Sequence, residues 1–320
     1  MHQLRQPFFW IIVVFTALFM APLWDGDVQL RESLILAAIY IILASNLNLV
    51  TGYAGYVNFG SIVFFGLGGY IGVWLTVEGW SLPAAALVAG IVVSALAFLF
   101  GRGILRLRGP YFALATIGVN EAVKAFVSNF APWGGASGIY ISLDSYLPLG
   151  GPRQALWTIY LLVVAVMGAS LLLSYFVKAS KFGLGLLAIG QNEDAASVLG
   201  VPTPFYKAAA YAVSAFLPAM AGAFYFFKSA FIQPVDAFDL GFSVEIIVML
   251  MLGGQGTVTG AALGAFLYEE LRGRLLVLQN FADFQLVIAG GLLLLIVTFA
   301  PGGLMGWVHG RWPKTRKFLP

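Results

Sequence analysis

The sequence predicts an all-α polytopic membrane protein, and three of its properties lead to that fold class. Of its 320 residues, 60% are hydrophobic and only 10% are charged, whereas soluble domains carry roughly 25% charged residues. The mean hydropathy is +0.91. Apolar runs of roughly 17 to 25 residues, the length that crosses a bilayer, recur along the chain. We therefore expect residues 1–320 to form a single transmembrane domain surrounded by membrane lipid.

The apolar runs predict about ten transmembrane helices. The first run is interpreted as a retained helix, because residues 17–21 offer no convincing cleavage site for a signal peptide. The eighth run is shorter than a bilayer requires. The predicted spans are residues 8–24, 34–50, 57–77, 82–100, 111–130, 157–177, 208–231, 243–253, 257–278 and 284–300.

The basic residues of the short connections predict how these spans are oriented. Placing both termini in the cytoplasm collects most lysines and arginines on that side, as the positive-inside rule requires. The residues left outside are Arg31, Arg153, Arg272 and Arg274. On this topology the long polar connection, residues 178–207, is cytoplasmic.

Two segments interrupt the pattern of plain helices. Residues 46–60 are rich in glycine, asparagine and tyrosine, and residues 243–264 combine the short eighth run with the glycine-rich stretch Gly253–Gly264. Interrupted helices in both halves of a chain are typical of transporters near the substrate route; the alternative is an ordinary tight turn at each place. Gly256, Gly260 and Gly264 recur every four residues, which predicts a glycine face for close helix packing.

The connection 178–207 contains a short predicted helix and is the surface that we expect to meet another protein. Asn192 can cap its first turn, Glu193 and Asp194 suit the positive end of the helix dipole, and Gly200 ends it. A helix of about two turns is marginal alone in water. The rest of the chain or a partner must therefore hold it, unless the segment is a solvated loop.

Ionisable residues within spans are functional candidates because they are costly to bury. Glu121 lies in the fifth span, where pairing with Lys124 on one helix face is the alternative to a functional role. Glu245 is expected to reach the outer headgroups. A solvated helix end is expected for Glu269, Glu270, Arg272 and Arg274.

Several chemistries have no motif in this sequence. The chain contains no cysteine, and no lysine follows a glycine, so the phosphate-binding loop of ATPases is missing. Its two histidines lie near the termini. We expect no cofactor, no metal site, no enzymatic activity and no nucleic-acid binding.

Five segments of this chain resemble motifs of a known family. They include Asn46-Leu-Asn-Leu-Val-Thr-Gly-Tyr-Ala-Gly55, Leu105-Arg-Leu-Arg-Gly-Pro-Tyr-Phe-Ala113, Asn192-Glu-Asp-Ala-Ala196, Leu252-Gly-Gly-Gln-Gly256 and Ala300-Pro-Gly-Gly-Leu304. Together they resemble permease subunits of branched-chain amino-acid ABC importers, and the resemblance covers about residues 34 to 308. The Arg-Leu-Arg-Gly segment and the Glu-Asp-Ala-Ala loop resemble one of the two subunit types. A departure is Asn58-Phe-Gly-Ser61, where family members often have Ser-Leu-Gly-His.

The resemblance implies a multi-subunit importer in a bacterial inner membrane. The implied partners are a homologous second permease chain, two cytoplasmic ATPase subunits and a periplasmic substrate-binding protein. The helix arrangement is expected to resemble that of the ten-span type II importers. The implied ATPase-coupling residues are Asn192, Glu193, Asp194, Ala195, Ala196, Leu199 and Gly200.

Residues of the translocation pathway are expected among the polar side chains near the first interrupted segment. They are Asn48, Thr51, Tyr53, Asn58 and Glu121. Relatives of the same architecture carry urea, short amides or other small solutes, so fold alone does not decide the substrate. A self-sufficient channel or secondary carrier remains the alternative from a different class.

Overall fold

The computed structural model describes residues 28–276, the single positions 287, 291, 294, 295 and 298, and residues 302–311. Its helices are α1 (Val28–Asn48), α2 (Ile62–Val77), α3 (Leu82–Ile104), α4 (Pro110–Ser128), α5 (Pro152–Ala179), α6 (Lys181–Gln191), α7 (Glu193–Val198), α8 (Thr203–Lys228), α9 (Pro234–Ala237), α10 (Leu240–Gly253), α11 (Val258–Leu276) and α12 (Gly303–Arg311). A π-helical turn, Leu49–Tyr53, extends α1, and 3₁₀ turns cover Ala131–Trp133, Gly135–Ser137 and Leu143–Leu149.

The middle eight predicted spans correspond to helices α1 to α5, α8, α10 and α11, with shifted ends. Within the part of the chain that the structure describes, four helical stretches are long and apolar enough to cross a membrane: Leu30–Tyr53, Leu82–Ile104, Pro152–Ala179 and Thr203–Lys228. The predicted spans 8–24 and 284–300 lie outside the continuously described residues. The chain is thus mostly helical, and a total of about ten spans stays a prediction.

Helix α8 lies at the centre of the bundle and packs most extensively against α3 and α2. Small residues allow the close approach: a Cβ added to Gly68 would stand 2.2 Å from the Ala219 carbonyl oxygen, and one on Gly72 would stand 2.2 Å from Ala223 Cβ. Residue numbers rise together along this contact, so α2 and α8 run parallel. Such small-residue contacts are how helices pack closely in membranes.

The helices differ in how much of their apolar surface the chain itself covers. In the most apolar 18 residues of the stretch Leu30–Tyr53, 94% of the residues are buried, against 39% in the most apolar 18 residues of α3. On α3, Leu87, Ile91 and Leu99 are exposed, and Pro83 in its first turn favours the start of the helix. Helix α1 is therefore internal, whereas α3 presents an apolar face that suits lipid.

The chain turns back into the bundle after α8, which the sequence did not lead us to expect. Phe231–Ile232 (β2) pairs antiparallel with Ile139–Tyr140 (β1) of the long connection between α4 and α5, a small departure from an all-α fold. The chain then forms α9 and continues into α10. The Ala237 carbonyl oxygen lies 2.4 Å from the position of a Cβ added to Gly66. Along α2, Gly66 lies about 16 Å before the end of the helix at Val77, at about 1.5 Å per residue. Residues 229–240, defined here as the re-entrant segment, therefore reach well below the end of α2.

Candidate functional site

Helix α7 forms as the sequence predicts. The Asn192 side-chain oxygen Oδ1 accepts a hydrogen bond from the Ala195 backbone N–H at 3.0 Å, which satisfies one of the free donors of the first turn. Gly200, at φ 88°, adopts the left-handed conformation that commonly ends helices. The segment is thus a capped helix rather than a loop.

The inner side of α7 is held by a partly buried ion pair. Glu193 Oε1 lies 2.7 Å from Lys207 Nζ, and Glu193 Oε2 accepts a hydrogen bond from the Tyr56 hydroxyl at 2.5 Å. Lys207 Nζ also donates to the Leu105 carbonyl at 2.5 Å and to the Tyr56 hydroxyl at 3.0 Å. These contacts join α7 to the start of α8, to the end of α3 and to the interrupted segment 46–60.

Arg108 completes this group of charges, which we call the inner cluster: Tyr56, Arg108, Glu193, Asp194 and Lys207. Its guanidinium binds Asp194 through two hydrogen bonds of 2.8 and 3.2 Å, and its Nε lies 3.3 Å from Glu193. A two-bond contact of this kind fixes direction as well as distance. The first two residues of α7 are therefore both tied to the segment that follows α3.

The cluster shifts the ionisation of its carboxyl groups. Burial opposes ionisation of Glu193, but the hydrogen bonds from Lys207 and Tyr56, together with the charges of Lys207 and Arg108, outweigh it and lower the pKa of Glu193. The hydrogen bond from Arg108 and its positive charge lower the pKa of Asp194. The same hydrogen bond raises the pKa of Arg108. Both carboxyl groups are thus held in their charged form.

The outer side of α7 is open and partly apolar. Val198 and Leu199 are 88% and 82% exposed, and Asn192, Asp194, Ala195 and Gly200 are exposed as well. Two of the predicted coupling residues point inward instead, because Glu193 belongs to the inner cluster and Ala196 is buried against the chain. Of the predicted coupling residues, Ala196 in particular offers no surface to another protein.

Helix α6 packs directly on the first interrupted segment. A Cβ on Gly190 would stand 2.5 Å from the Tyr53 carbonyl oxygen, and the position of a Gly55 Cβ lies 3.5 Å from Gly190 Cα. Thr51 Oγ1 donates to the Tyr56 carbonyl oxygen at 3.1 Å. The segment is non-helical beyond the π-helical turn, as predicted, and the Tyr56 N–H also donates to the Val50 carbonyl oxygen at 3.2 Å.

The two interrupted segments contact each other, which brings the predicted residues Asn48 and Gly256 together. Asn48 Oδ1 accepts from the Gly256 N–H at 2.8 Å, and Asn48 Nδ2 donates to the Thr257 carbonyl at 2.9 Å. Lys178 Nζ donates to the Gly256 carbonyl at 2.8 Å. The connection 178–207 therefore reaches both interrupted segments, through Tyr56 and through Gly256.

The predicted glycine face is wrong for Gly256 and holds for the other two residues. Gly256 has φ 79° and lies in the turn before α11, so the second interruption is the tight turn that we kept as the alternative. Gly260 and Gly264 do lie on α11, where added Cβ atoms would stand 2.7 and 2.1 Å from the carbonyl oxygens of Gly253 and Met249. They allow α11 to pack closely on α10.

The remaining predicted pathway residues have different surroundings. Asn58 is buried, and its Oδ1 accepts from the Gly60 N–H at 2.9 Å. Tyr53 is buried, and its hydroxyl has no hydrogen-bond partner among the described residues. Glu121 is exposed on α4 and lies 3.5 Å from Asn120 Nδ2, which also donates to the Phe238 carbonyl at 2.9 Å. Glu121 therefore lies beside the re-entrant segment.

A second ionic group, the buried cluster of Tyr40, Glu245, Glu269 and Arg272, corrects two expectations. Glu245 is 4% exposed rather than directed to headgroups. Arg272 Nη1 donates to the Tyr40 hydroxyl at 2.9 Å, and it lies 3.6 Å from Glu269; Arg272 Nε lies 3.9 Å from Glu245. The expected solvated helix end is wrong for Glu269 and Arg272, because α1 and α10 cover this face of α11, whereas Glu270 is exposed as expected.

Sequence reasoning missed Tyr56, Arg108 and the pairing role of Lys207. Tyr56 is separated from Glu193 by 137 residues and Arg108 from Asp194 by 86. Lys207 is only 14 residues from Glu193, but it lies on the next helix and not at a helical spacing from it. The signal available was a tyrosine and several basic residues at the predicted inner ends of spans. Among the described residues, no group of three or more histidine, aspartate or glutamate side chains is arranged to hold a metal ion.

Known proteins are similar in sequence to this chain over most of its length. The family described as "Branched-chain amino acid transport system / permease component" matches residues 29–297. The "High-affinity branched-chain amino acid transport system permease protein LivM" of Escherichia coli (strain K12) is 26% identical over 294 residues, which cover 84% of this chain and 68% of that protein. The protein of the same name from Salmonella typhimurium is 27% identical over 291 residues, or 83% and 68%.

A transporter with another named cargo is also similar. The "Autoinducer 2 import system permease protein LsrC" of Salmonella paratyphi B is 28% identical over 239 residues, which cover 72% of this chain and 65% of that protein. No solved structure matches the chain. Because the family match extends over most of the sequence, this chain belongs to the permease components of branched-chain amino acid transport systems.

Proposed function

We propose that this chain is the translocation subunit of an ATP-driven importer for branched-chain aliphatic amino acids. The family and the LivM relatives support the substrate class. The chain itself contains no phosphate-binding loop, so ATP hydrolysis falls to two partner ATPase subunits. A second permease chain and a periplasmic binding protein complete the importer, both termini lie in the cytoplasm, and about ten helices span the inner membrane.

The observation that carries this proposal is the construction of α7. One side is anchored by the inner cluster, while the other exposes Val198 and Leu199. A solvated helix needs no adjacent exposed aliphatic side chains, whereas a protein interface uses them. We propose that Asn192, Asp194, Ala195, Leu199 and Gly200 face an ATPase subunit, and that Glu193 and Ala196 hold the helix in place.

The inner cluster offers a route from α7 to the pathway. Movement of α7 displaces Glu193, which pulls on Tyr56 in the first interrupted segment; that segment is bonded through Asn48 to the second. Coupling requires such a contiguous element with two arrangements. Asn48, Thr51, Tyr53 and Asn58 then change the width of the route through their backbone, and Glu121 contributes from α4.

The proposed interface is tested by charging its exposed apolar residues. Val198→Asp with Leu199→Asp is expected to abolish copurification of the ATPase subunits and ATP-driven leucine uptake, since neither side chain is needed inside the chain. The matched control is Leu143→Asp with Leu147→Asp, two residues that are 73% and 66% exposed on the connection between α4 and α5. ATPase subunits that still copurify with the first variant would contradict the assignment.

Two alternatives give different results in liposomes. A self-sufficient channel or carrier moves solute with the purified chain alone, whereas our proposal predicts no transport without ATPase subunits. The second alternative, a permease for urea, short amides or the cargo named for LsrC, is tested by competition with labelled leucine. It is excluded if excess isoleucine or valine lowers leucine uptake and an excess of urea, short amides or the LsrC cargo does not.

A further inference from the structure

The re-entrant segment and its neighbours enclose a cavity of about 350 Å³ that none of the predicted pathway residues lines. This volume lies in the range of small-molecule sites. Its lining comes from α2, α8, β2, α9 and α10. The lining includes the aromatic residues Phe65, Tyr225, Phe226 and Phe242 and the carboxylates of Asp236 and Asp239.

Aromatic rings form most of the wall. The Phe65 ring lies 5.5 Å from Tyr225, 5.3 Å from Phe226 and 6.1 Å from Phe242, between ring centroids. Such rings bury an aliphatic chain well, and their faces also attract an ammonium group. The wall therefore suits a small solute that carries both.

The charged part of the lining is acidic. Asp236 accepts a hydrogen bond from Gln233 at 2.7 Å, and Asp239 accepts one from the Gly241 N–H at 2.9 Å. One bond each orients these carboxylates but leaves most of their acceptor capacity, since an ionised carboxylate has about four acceptor sites. The described lining contains no lysine or arginine, so the cavity favours a cationic group.

The location of these carboxylates indicates that they do not face lipid. Both are exposed, and they flank Ala237, which lies well below the end of α2. Carboxylates at membrane depth almost always face a bundle interior or a water-filled cavity. The exposed Glu121 lies beside the same segment. This side of the chain therefore belongs to an aqueous route.

We propose that this cavity is a subsite for the solute during translocation, in which Asp236 and Asp239 bind the ammonium group and the aromatic wall receives the aliphatic side chain. The inference rests on the proposed function for its substrate class and adds the residues that recognise the substrate. The phenylalanine rings of the wall offer no ligand atom to a metal ion, whereas Ca²⁺ and Mg²⁺ take six or more oxygen ligands, so an organic ammonium fits this lining better than either ion does.

The chain has no cysteine, so Ser229→Cys introduces a single thiol into the cavity. Its alkylation rate by a small maleimide is measured in the complete importer with L-leucine, with 3-methylbutylamine, which lacks the carboxylate, or with 4-methylpentanoate, which lacks the ammonium. L-leucine and the amine are expected to slow alkylation, about threefold at a concentration twice the Kd, and the acid is not. Ser142→Cys in a different cavity, lined by Trp80 and Asp144, is the matched control.

Protection must also depend on the carboxylates. Adding Asp236→Asn and Asp239→Asn to Ser229→Cys is expected to abolish protection. Residue 239, whose side chain caps the N-terminus of α10, still does so in this variant, because asparagine caps helices as well as aspartate. Equal protection by 4-methylpentanoate, protection that survives the two substitutions, or no protection by leucine would overturn the subsite. ATP-driven leucine uptake by the unaltered importer separates the two proposals: uptake without protection contradicts the subsite alone, and no uptake contradicts the proposed function.

Discussion

The inner cluster and the buried cluster use similar residues, yet they differ in what they connect. In the inner cluster, Glu193 and Lys207 have hydrogen bonds to each other and to Tyr56, and Arg108 remains largely in solvent. In the buried cluster, Glu269 Oε2 and Arg272 Nε lack hydrogen-bond partners among the described residues. The first joins an exposed helix to the bundle, and the second joins three packed helices.

The two clusters therefore have different roles. Buried ion pairs contribute little net stability compared with apolar packing, but removing one partner is costly. The buried cluster therefore chiefly specifies how α1, α10 and α11 pack. The inner cluster has satisfied bonds and partial access to water, which suits a contact that transmits movement of α7.

The largest stability effect is expected at the buried cluster. Arg272→Met leaves the 4% exposed Glu245 facing Glu269 without its cation, which is expected to destabilise the chain by about 3 to 5 kcal/mol. Adding Glu245→Gln is expected to restore most of this loss, because no unpaired charge then remains at that position. Thermal unfolding in detergent measures both variants. Equal melting temperatures for Arg272→Met and the unaltered chain would contradict the role given to this cluster.

A smaller, pH-dependent effect is expected at the inner cluster. Glu193→Gln is expected to cost about 2 to 3 kcal/mol, less than a fully buried pair, because Lys207 keeps its bond to the Leu105 carbonyl and Arg108 is solvated.

The pH dependence follows from the lowered pKa of Glu193. Its contribution to the free energy of unfolding is complete above the ordinary carboxyl pKa of about 4.3 and is lost as the pH falls from there through the folded-state pKa. The free energy of unfolding is measured from pH 7 to pH 3 for Glu193→Gln and for the unaltered chain. The difference between the two values is therefore expected to shrink as the pH falls. A difference that stays constant across this range would rule out the ion pair as its source.

The smallest of these effects is expected at the helix cap. Asn192→Ala removes the acceptor for the Ala195 N–H and is expected to cost about 1 kcal/mol, whereas Asn192→Asp preserves the cap. Hydrogen exchange of the α7 amides measures the local opening. The same exchange rates in both variants would show that the cap does not hold α7.

Local patterns predicted the parts of this structure that depend on neighbouring residues. Apolar runs predicted the positions of eight of the described helices, and the Asn192 cap with Gly200 predicted α7. These features are determined by residues within a few helical turns of one another and by the solvent or lipid around them. The interruption at residues 46–60 was likewise visible as a loss of apolar periodicity.

Features that depend on distant contacts could not be predicted in the same way. Glu193 and Tyr56 are separated by 137 residues, and Arg272 and Tyr40 by 232, so only the packed bundle brings them together. The predicted spans 208–231 and 243–253 leave residues 232–242 as a connection, in which Pro234, Asp236 and Asp239 interrupt the apolar pattern. No local pattern indicates how deep residues 229–240 lie. Their depth depends on Gly66, which leaves room for Ala237.

The most direct test of the account is the number of leucine molecules imported per ATP hydrolysed. Glu193→Gln is compared with the unaltered importer and with Glu78→Gln, under conditions where all three fold. Glu78 is an exposed carboxylate in the turn after α2. We predict that Glu193→Gln still hydrolyses ATP but imports at least about fivefold less leucine per ATP, the smallest ratio typical of a lost coupling contact. An unchanged ratio in Glu193→Gln would contradict the claim that the inner cluster transmits movement of α7 to the translocation pathway.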